Sequence, residues 1–148
     1  MPWSSSILFW EWLVVKNSEG VVASIEKVGD ELQAGEDELT SWAKERGNQF
    51  FLKQDKTVLP ALTRVSRWVM RQDYDPSAIS TFFQVADYWL IAHALAHVFA
   101  VVTHENPLNS TKKLKIPNAC VGLAIRFVTP YEMLRRERAR FVLGPFAR

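Results

Sequence analysis

Apolar residues recur at helical spacing over two long stretches of the chain. Between Val58 and Met70 they fall at Leu59, Leu62, Val65, Trp68 and Val69, which predicts an amphipathic helix. Between Ile7 and Val15, Phe9, Trp10, Leu13 and Val14 do the same, with Ser6 suited to the N-cap. Val21–Ile25 is short and apolar, and Ser24 is a second candidate N-cap for a helix through Val28, Glu31 and Leu32. Lys27 stands at its third position, where a capping box would have Glu or Gln. Leu39, Trp42 and Ala43 suggest another helix, ended near Gly47, and Phe50-Phe51-Leu52 reads as a short strand. Asn17-Ser18-Glu19-Gly20 and Asp73-Tyr74-Asp75-Pro76 are turn chemistry.

The back half alternates more sharply. Val85–His97, rich in Ala, Leu and Ile, predicts a buried helix, and Phe99–Thr103 a central strand. A loop of Pro, Asn, Ser and Lys follows from Asn106 to Lys115. A short helix is expected from Pro117, then a strand over Ile125–Val128 and a last helix over Tyr131–Arg140. Helices alternating with strands imply βαβ units. The expectation is therefore an α/β chain, a three-layer α/β/α sandwich around a central, mostly parallel sheet. Residues 1–148 suit one domain with one core.

Charge changes this picture. Residues 1–105 carry 9 Lys and Arg against 14 Asp and Glu, whereas 106–148 carry 9 against 2. A basic tail on an acidic body suits a polyanion, an acidic partner, or merely a solvated face. Cys120 is the single cysteine, so no disulfide within the chain and no multi-cysteine zinc site is available, and a reducing cytoplasmic setting is expected. No apolar run approaches the roughly 20 residues of a membrane span, and Met1-Pro2-Trp3-Ser4 lacks the basic start of a secretory signal.

Open parallel sheets place their sites beyond the carboxyl ends of the strands. Glu105 follows such an end, and Thr103, two residues earlier, shares its side of an extended segment. Asp87 opens the preceding helix, which runs antiparallel to the strand, so the two carboxylates are expected at one sheet edge. Two carboxylates held close repel unless one protonates or a cation joins them. Mg²⁺ or Mn²⁺ suits such an oxygen set and can activate water against a phosphodiester. Taken separately, Asp87 is also what a helix dipole favours in a first turn, and Glu105 fits a solvated loop.

Five motifs in order carry a resemblance. Val85-Ala-Asp-Tyr-Trp-Leu-Ile-Ala-His-Ala-Leu-Ala-His97, Val101-Val-Thr-His-Glu105 and Lys113-Leu-Lys-Ile-Pro-Asn-Ala-Cys120 resemble a PIN-like family of toxin-type metal-dependent ribonucleases. Phe9-Trp10-Glu11-Trp12-Leu13 and Val28-Gly29-Asp30-Glu31-Leu32 match the same order upstream. The resemblance implies Mg²⁺- or Mn²⁺-dependent cleavage of RNA by a toxin held by an antitoxin protein. It implies Glu31, Asp87 and Glu105 as catalytic, metal-binding acids and Thr103 as a hydroxyl holding carboxylate or phosphate. Asp30-Glu31 also reads as a solvated helix face, with Asp30 the alternative register. Lys112, Lys113 and Lys115, with the Arg135–Arg140 cluster, are candidates to hold RNA.

Members of that family begin with a strand ending in aspartate, and this sequence has no acid before Glu11. The departure removes one of four acids and leaves two strands without their central neighbour. It is accounted for by a start further upstream, by a truncated inactive form, or by a partner or second copy adding the strand. The rival to a nuclease is accordingly a protein-binding module docking through the Ile7–Val15 helix and unpaired strand edges, and a homodimer belongs with that reading. A weaker third reading is a DNA-binding regulator. His93 and His97 have zinc spacing without the intervening Glu of a zincin and are read as semi-buried helix residues. Cys120 is read as a small buried residue, and Trp10 and Trp68 as core or interface.

Overall fold

The computed structural model describes residues 7–136 and 141–145; Ser6 and residues 137–140 of the expected last helix lie outside them. In chain order the elements are α1 (Ile7–Ser18), β1 (Val22–Ile25), α2 (Glu26–Gln33), α3 (Glu38–Phe50), β2 (Phe51–Leu52), α4 (Val58–Arg71), α5 (Pro76–Gln84), α6 (Ala86–His97), β3 (Ala100–Val102), α7 (Ile116–Leu123), β4 (Phe127–Val128), α8 (Pro130–Arg135) and β5 (Phe141–Leu143). The strands form one sheet in the order β2-β1-β5-β3-β4, and every pairing is parallel. Helices flank it, making the α/β/α sandwich. Helices α4, α6 and α7 pack on one another, while α1 and α3 pack on each other and on β1.

The strand set differs from expectation at its centre. The C-terminal strand β5 fills the slot between β1 and β3. Val142 lies opposite Ala23 on one side and Val101 on the other, and Leu143 lies opposite Val102. The buried Ser24 hydroxyl donates to Leu143 O at 2.8 Å, and Gly144 N donates to Val102 O at 2.9 Å. Ser24 is thus a strand residue bonded across the sheet, not an N-cap; Ile25 precedes α2 with no side-chain cap bond. No second copy or partner strand is needed at the sheet centre, since the chain's own end supplies the missing neighbour.

Helix α5 also departs from the reading of Asp73–Pro76 as a turn alone. Pro76 takes the first helical turn, where its missing N–H costs nothing. Helix α3 carries a kink at Gly47, whose φ of 63° suits glycine. Helices α6 and α7 each end on a left-handed residue, Val98 at φ 57° and Ala124 at φ 57°. Phe99 N returns to Ala94 O at 3.1 Å and Ile125 N to Cys120 O at 2.9 Å, so both helix-to-strand turns close by the same i−5 bond. Neither residue is glycine, a strain of about 1 kcal/mol each. Gly122 has a different role: a Cβ there would come within 2.1 Å of the Trp68 ring, so its absence lets α4 and α7 meet.

The core runs through both layers. Leu13, Val22, Ile25, Val65, Leu90, Ile91, Val101, Val102, Ile116 and Val142 are all buried. Cys120 is fully buried, and burial pushes its thiol up to about 12, as suits an inert packing residue. His93 is 2% exposed, more deeply placed than semi-buried, and neither ring nitrogen has a hydrogen-bond partner. It stacks at 6.0 Å on His97, whose Nε2 meets Asp55 at 2.8 Å. Burial, then the His97 charge, lowers His93 to about 4, against a smaller opposing pull from Asp55.

A histidine held neutral by the fold takes a proton more readily when unfolded. Its contribution to stability is complete above about pH 6.5 and is lost as pH falls toward 4, by about 3 kcal/mol at most. We predict that His93→Leu flattens the decline in urea midpoint between pH 7 and pH 4.5 relative to wild type. Parallel declines in the two proteins would contradict this account.

Candidate functional site

Strand β3 ends at Val102, and the chain leaves the sheet edge through Thr103, His104 and Glu105. Helix α6 begins at the same edge, with Asp87 in its first turn. Helix α5, the loop 106–115 and these two ends enclose a cleft of about 820 Å³. Asp87, His104 and Glu105 line it together with Lys112, Lys113 and Lys115. Ser77, Thr81 and Asn106 add neutral polar groups. The antiparallel packing of α6 against β3 therefore brings Asp87 and Glu105 to one cavity, and the basic loop closes over them.

The acids are held differently. Asp87 is 8% exposed, a carboxylate sunk into the wall at the amino end of a helix, where the dipole favours its charge. Glu105 is half-buried. Its backbone N–H donates to Thr103 Oγ1 at 3.1 Å, and its Oε1 accepts from Ile116 N at 3.4 Å, at the start of α7. Two helix beginnings thus point their positive ends at this edge. Thr103 is buried, is not part of the cleft wall, and receives the Glu105 amide, so its hydroxyl shapes the turn that presents Glu105.

Glu31 lies elsewhere. It is exposed on α2, lines a separate cavity with Asp37 and Thr40, and its Oε2 accepts from Ala86 N at 3.0 Å. That bond caps the first turn of α6 one residue before Asp87. The resemblance implies Glu31 as a metal-binding acid beside Asp87 and Glu105; the structure puts its carboxylate in a different cavity from theirs and bonds it to the helix that carries Asp87. Arg135 ends α8, Arg136 pairs with Glu132 at 3.8 Å, and Arg138 and Arg140 lie outside the described residues.

Gly144 directly follows the central strand β5. A Cβ at this position would approach Val102 O to 3.0 Å and Leu90 Cδ2 to 3.4 Å, so the site leaves little room for any side chain. Among the described residues no three Asp, Glu, His or Cys side chains converge as a ready-made metal cage. Asp87 and Glu105 line one cleft, and two carboxylates are what an ion bound by one or two protein carboxylates and completed by substrate oxygens would draw on. The set does not suit an ion held by protein alone.

His104, Ser77, Thr81 and Asn106 are cleft residues that the sequence reading did not assign. For His104 the available signal is its place between Thr103 and Glu105. Ser77 and Thr81 depend on α5, whose signal is Asp75-Pro76 at a helix start.

The fold and cleft define a parallel α/β sandwich with a mixed acidic and basic cavity at the carboxyl edge of its sheet. The chain belongs to the family described as a domain of unknown function, DUF4411, whose model matches residues 5–141. No curated protein and no solved structure gives a significant match. Among the described residues no helix is long and apolar enough to cross a membrane.

The capping role of Glu31 has a direct test in thermal unfolding. Glu31→Ala should lower stability by about 1–2 kcal/mol, the worth of a charged hydrogen bond. Glu31→Gln, which keeps an acceptor oxygen, should cost less than half of that. Equal losses would show that the charge, and not the cap, is what matters.

Proposed function

We propose that this chain is a Mg²⁺- or Mn²⁺-dependent ribonuclease that hydrolyses RNA phosphodiesters. One observation carries the reading: Asp87 and Glu105 share a cleft with Lys112, Lys113 and Lys115. An acidic pair alone would repel RNA, and a lysine loop alone would bind it without chemistry. Placed together they suit a phosphate met by cations on one side and by a carboxylate-held ion on the other.

Asp87 and Glu105 are the residues that would hold the ion. When bound, it supplies a more acidic water and charge to offset the phosphoryl oxygens. The lysines bind the phosphate backbone and fix its position along the loop. Glu31 acts through α6, holding the first turn that presents Asp87, and Thr103 and the α7 amide orient Glu105. His104 brings an imidazole to the same wall, a group able to carry a proton to a leaving oxygen. The toxin setting, with an antitoxin protein restraining the enzyme in the cytoplasm, rests on the resemblance of the motifs around Asp87, Glu105 and Lys113.

A specific observation favours a second reading, a catalytically silent binding module. The central strand is followed by Gly144, which brings no carboxylate to the edge. Cleavage of a mixed RNA substrate by the full chain separates the two. The nuclease reading expects cleavage with Mn²⁺, none with chelator, and a fall of roughly 100-fold or more in rate for Asp87→Asn, about 2.7 kcal/mol of barrier. Absence of cleavage by folded wild-type chain with Mn²⁺ and with Mg²⁺ would overturn it in favour of the silent module.

A further inference from the structure

A second cavity, of about 520 Å³, adjoins the cleft. Pro107 and Leu108 line both, so the two recesses lie on either side of one stretch of the 106–115 loop. Their linings differ in kind. The cleft carries three lysines, a histidine and two acids. The second cavity is walled by Gln72, Tyr74, Asn109, Ser110 and Thr111, and its single charged lining residue is Asp73.

The cavity is braced before any ligand arrives. Leu108 is clamped at both backbone groups by one side chain: its N–H donates to Asn118 Oδ1 at 3.1 Å, and Asn118 Nδ2 donates to its carbonyl at 3.0 Å. Asp75 N donates to Thr111 O at 2.8 Å, tying the loop to the segment that carries Tyr74. Lys112 N donates to Ser110 Oγ at 3.1 Å. Tyr74 is half-buried and packs against the hydrophobic core.

We propose that this cavity is a nucleobase subsite, in which one unpaired base of the RNA enters beside Tyr74 while the neighbouring backbone lies in the cleft. The inference rests on the ribonuclease reading and adds the place where a base of the substrate is held. A phosphate is disfavoured here, because no cation among the described residues lines the cavity and Asp73 repels it. An unpaired base is suited: an aromatic ring offers a stacking face, and a carboxylate and amides meet its N–H and C=O edge. A base within a duplex is stacked and paired and cannot enter such a recess.

The test is binding of a fluorescently labelled single-stranded RNA octamer to the full chain in chelator, where no cleavage occurs, read by anisotropy. Tyr74→Ala should weaken binding roughly tenfold or more, the effect of losing one stacked base. Tyr74→Phe, which keeps the ring, should bind within about twofold of wild type. A duplex of the same sequence should compete at least roughly tenfold less well with wild type, a measurement that stands even if Tyr74→Ala does not fold. Equal affinity for duplex and single strand, or a folded Tyr74→Ala that binds as wild type, would overturn the subsite and leave the ribonuclease reading intact. Failure of wild type to bind either RNA would overturn both.

Discussion

Strand β5 is hydrogen-bonded to β1 on one side and to β3 on the other, and these pairings join the halves of the molecule. Without them the sheet divides into β2-β1 and β3-β4. Three residues do this, with help from the Ser24 hydroxyl on Leu143 O and the Gly144 amide on Val102 O. The partners are far apart in the chain: Ser24 and Leu143 are 119 residues apart. Closure of the sheet therefore depends on contacts whose loop-closure entropy is recovered only when the whole core packs. Everything at the carboxyl edge inherits that dependence. The ends of β3 and β5, and the starts of α6 and α7 packed behind them, set where Asp87 and Glu105 stand.

The cleft draws on both sides of the charge division along the chain. Residues before 106 are net acidic and those after it net basic, and the two portions meet at this cavity. Asp87 and Glu105 belong to the acidic part, Lys112, Lys113 and Lys115 to the basic loop. The starts of α6 and α7 lie at the same edge, Asp87 in the first turn of one and Glu105 accepting from the first amide of the other. Gly144, close to Val102 O and Leu90, brings no carboxylate to this edge.

Much of the fold was legible because local pattern decides it. The stripe through Leu62, Val65 and Val69 buries as a helix, although Leu59, which shares its spacing, is exposed and Val58 and Ala61 complete the buried face; the run from Val85 through Thr103 encodes a buried helix followed by a strand. Asp87 and Glu105 could be brought together on paper because they sit at adjoining ends of two consecutive elements. Position in the sheet was not legible. Phe141-Val142-Leu143 reads as a few apolar residues near a basic tail, and only pairing with β1 and β3 makes it central. Helix α5 was hidden by Ser, Thr and two adjacent Phe without a clean period, and Ser24 looked like a cap because its buried bond to Leu143 O is long-range. The capping bond of Glu31 on Ala86, 55 residues away, was hidden for the same reason.

The most direct test of this account is amide hydrogen exchange at Val142, Leu143 and Gly144 in the native chain. A central strand that closes the sheet predicts exchange as slow as that of Val101 and Val102, reached only through global unfolding. Exchange at these three amides orders of magnitude faster than at β3, with β3 itself protected, would contradict it: the sheet would then be closed without β5, and the edge that carries Asp87 and Glu105 would rest on something else.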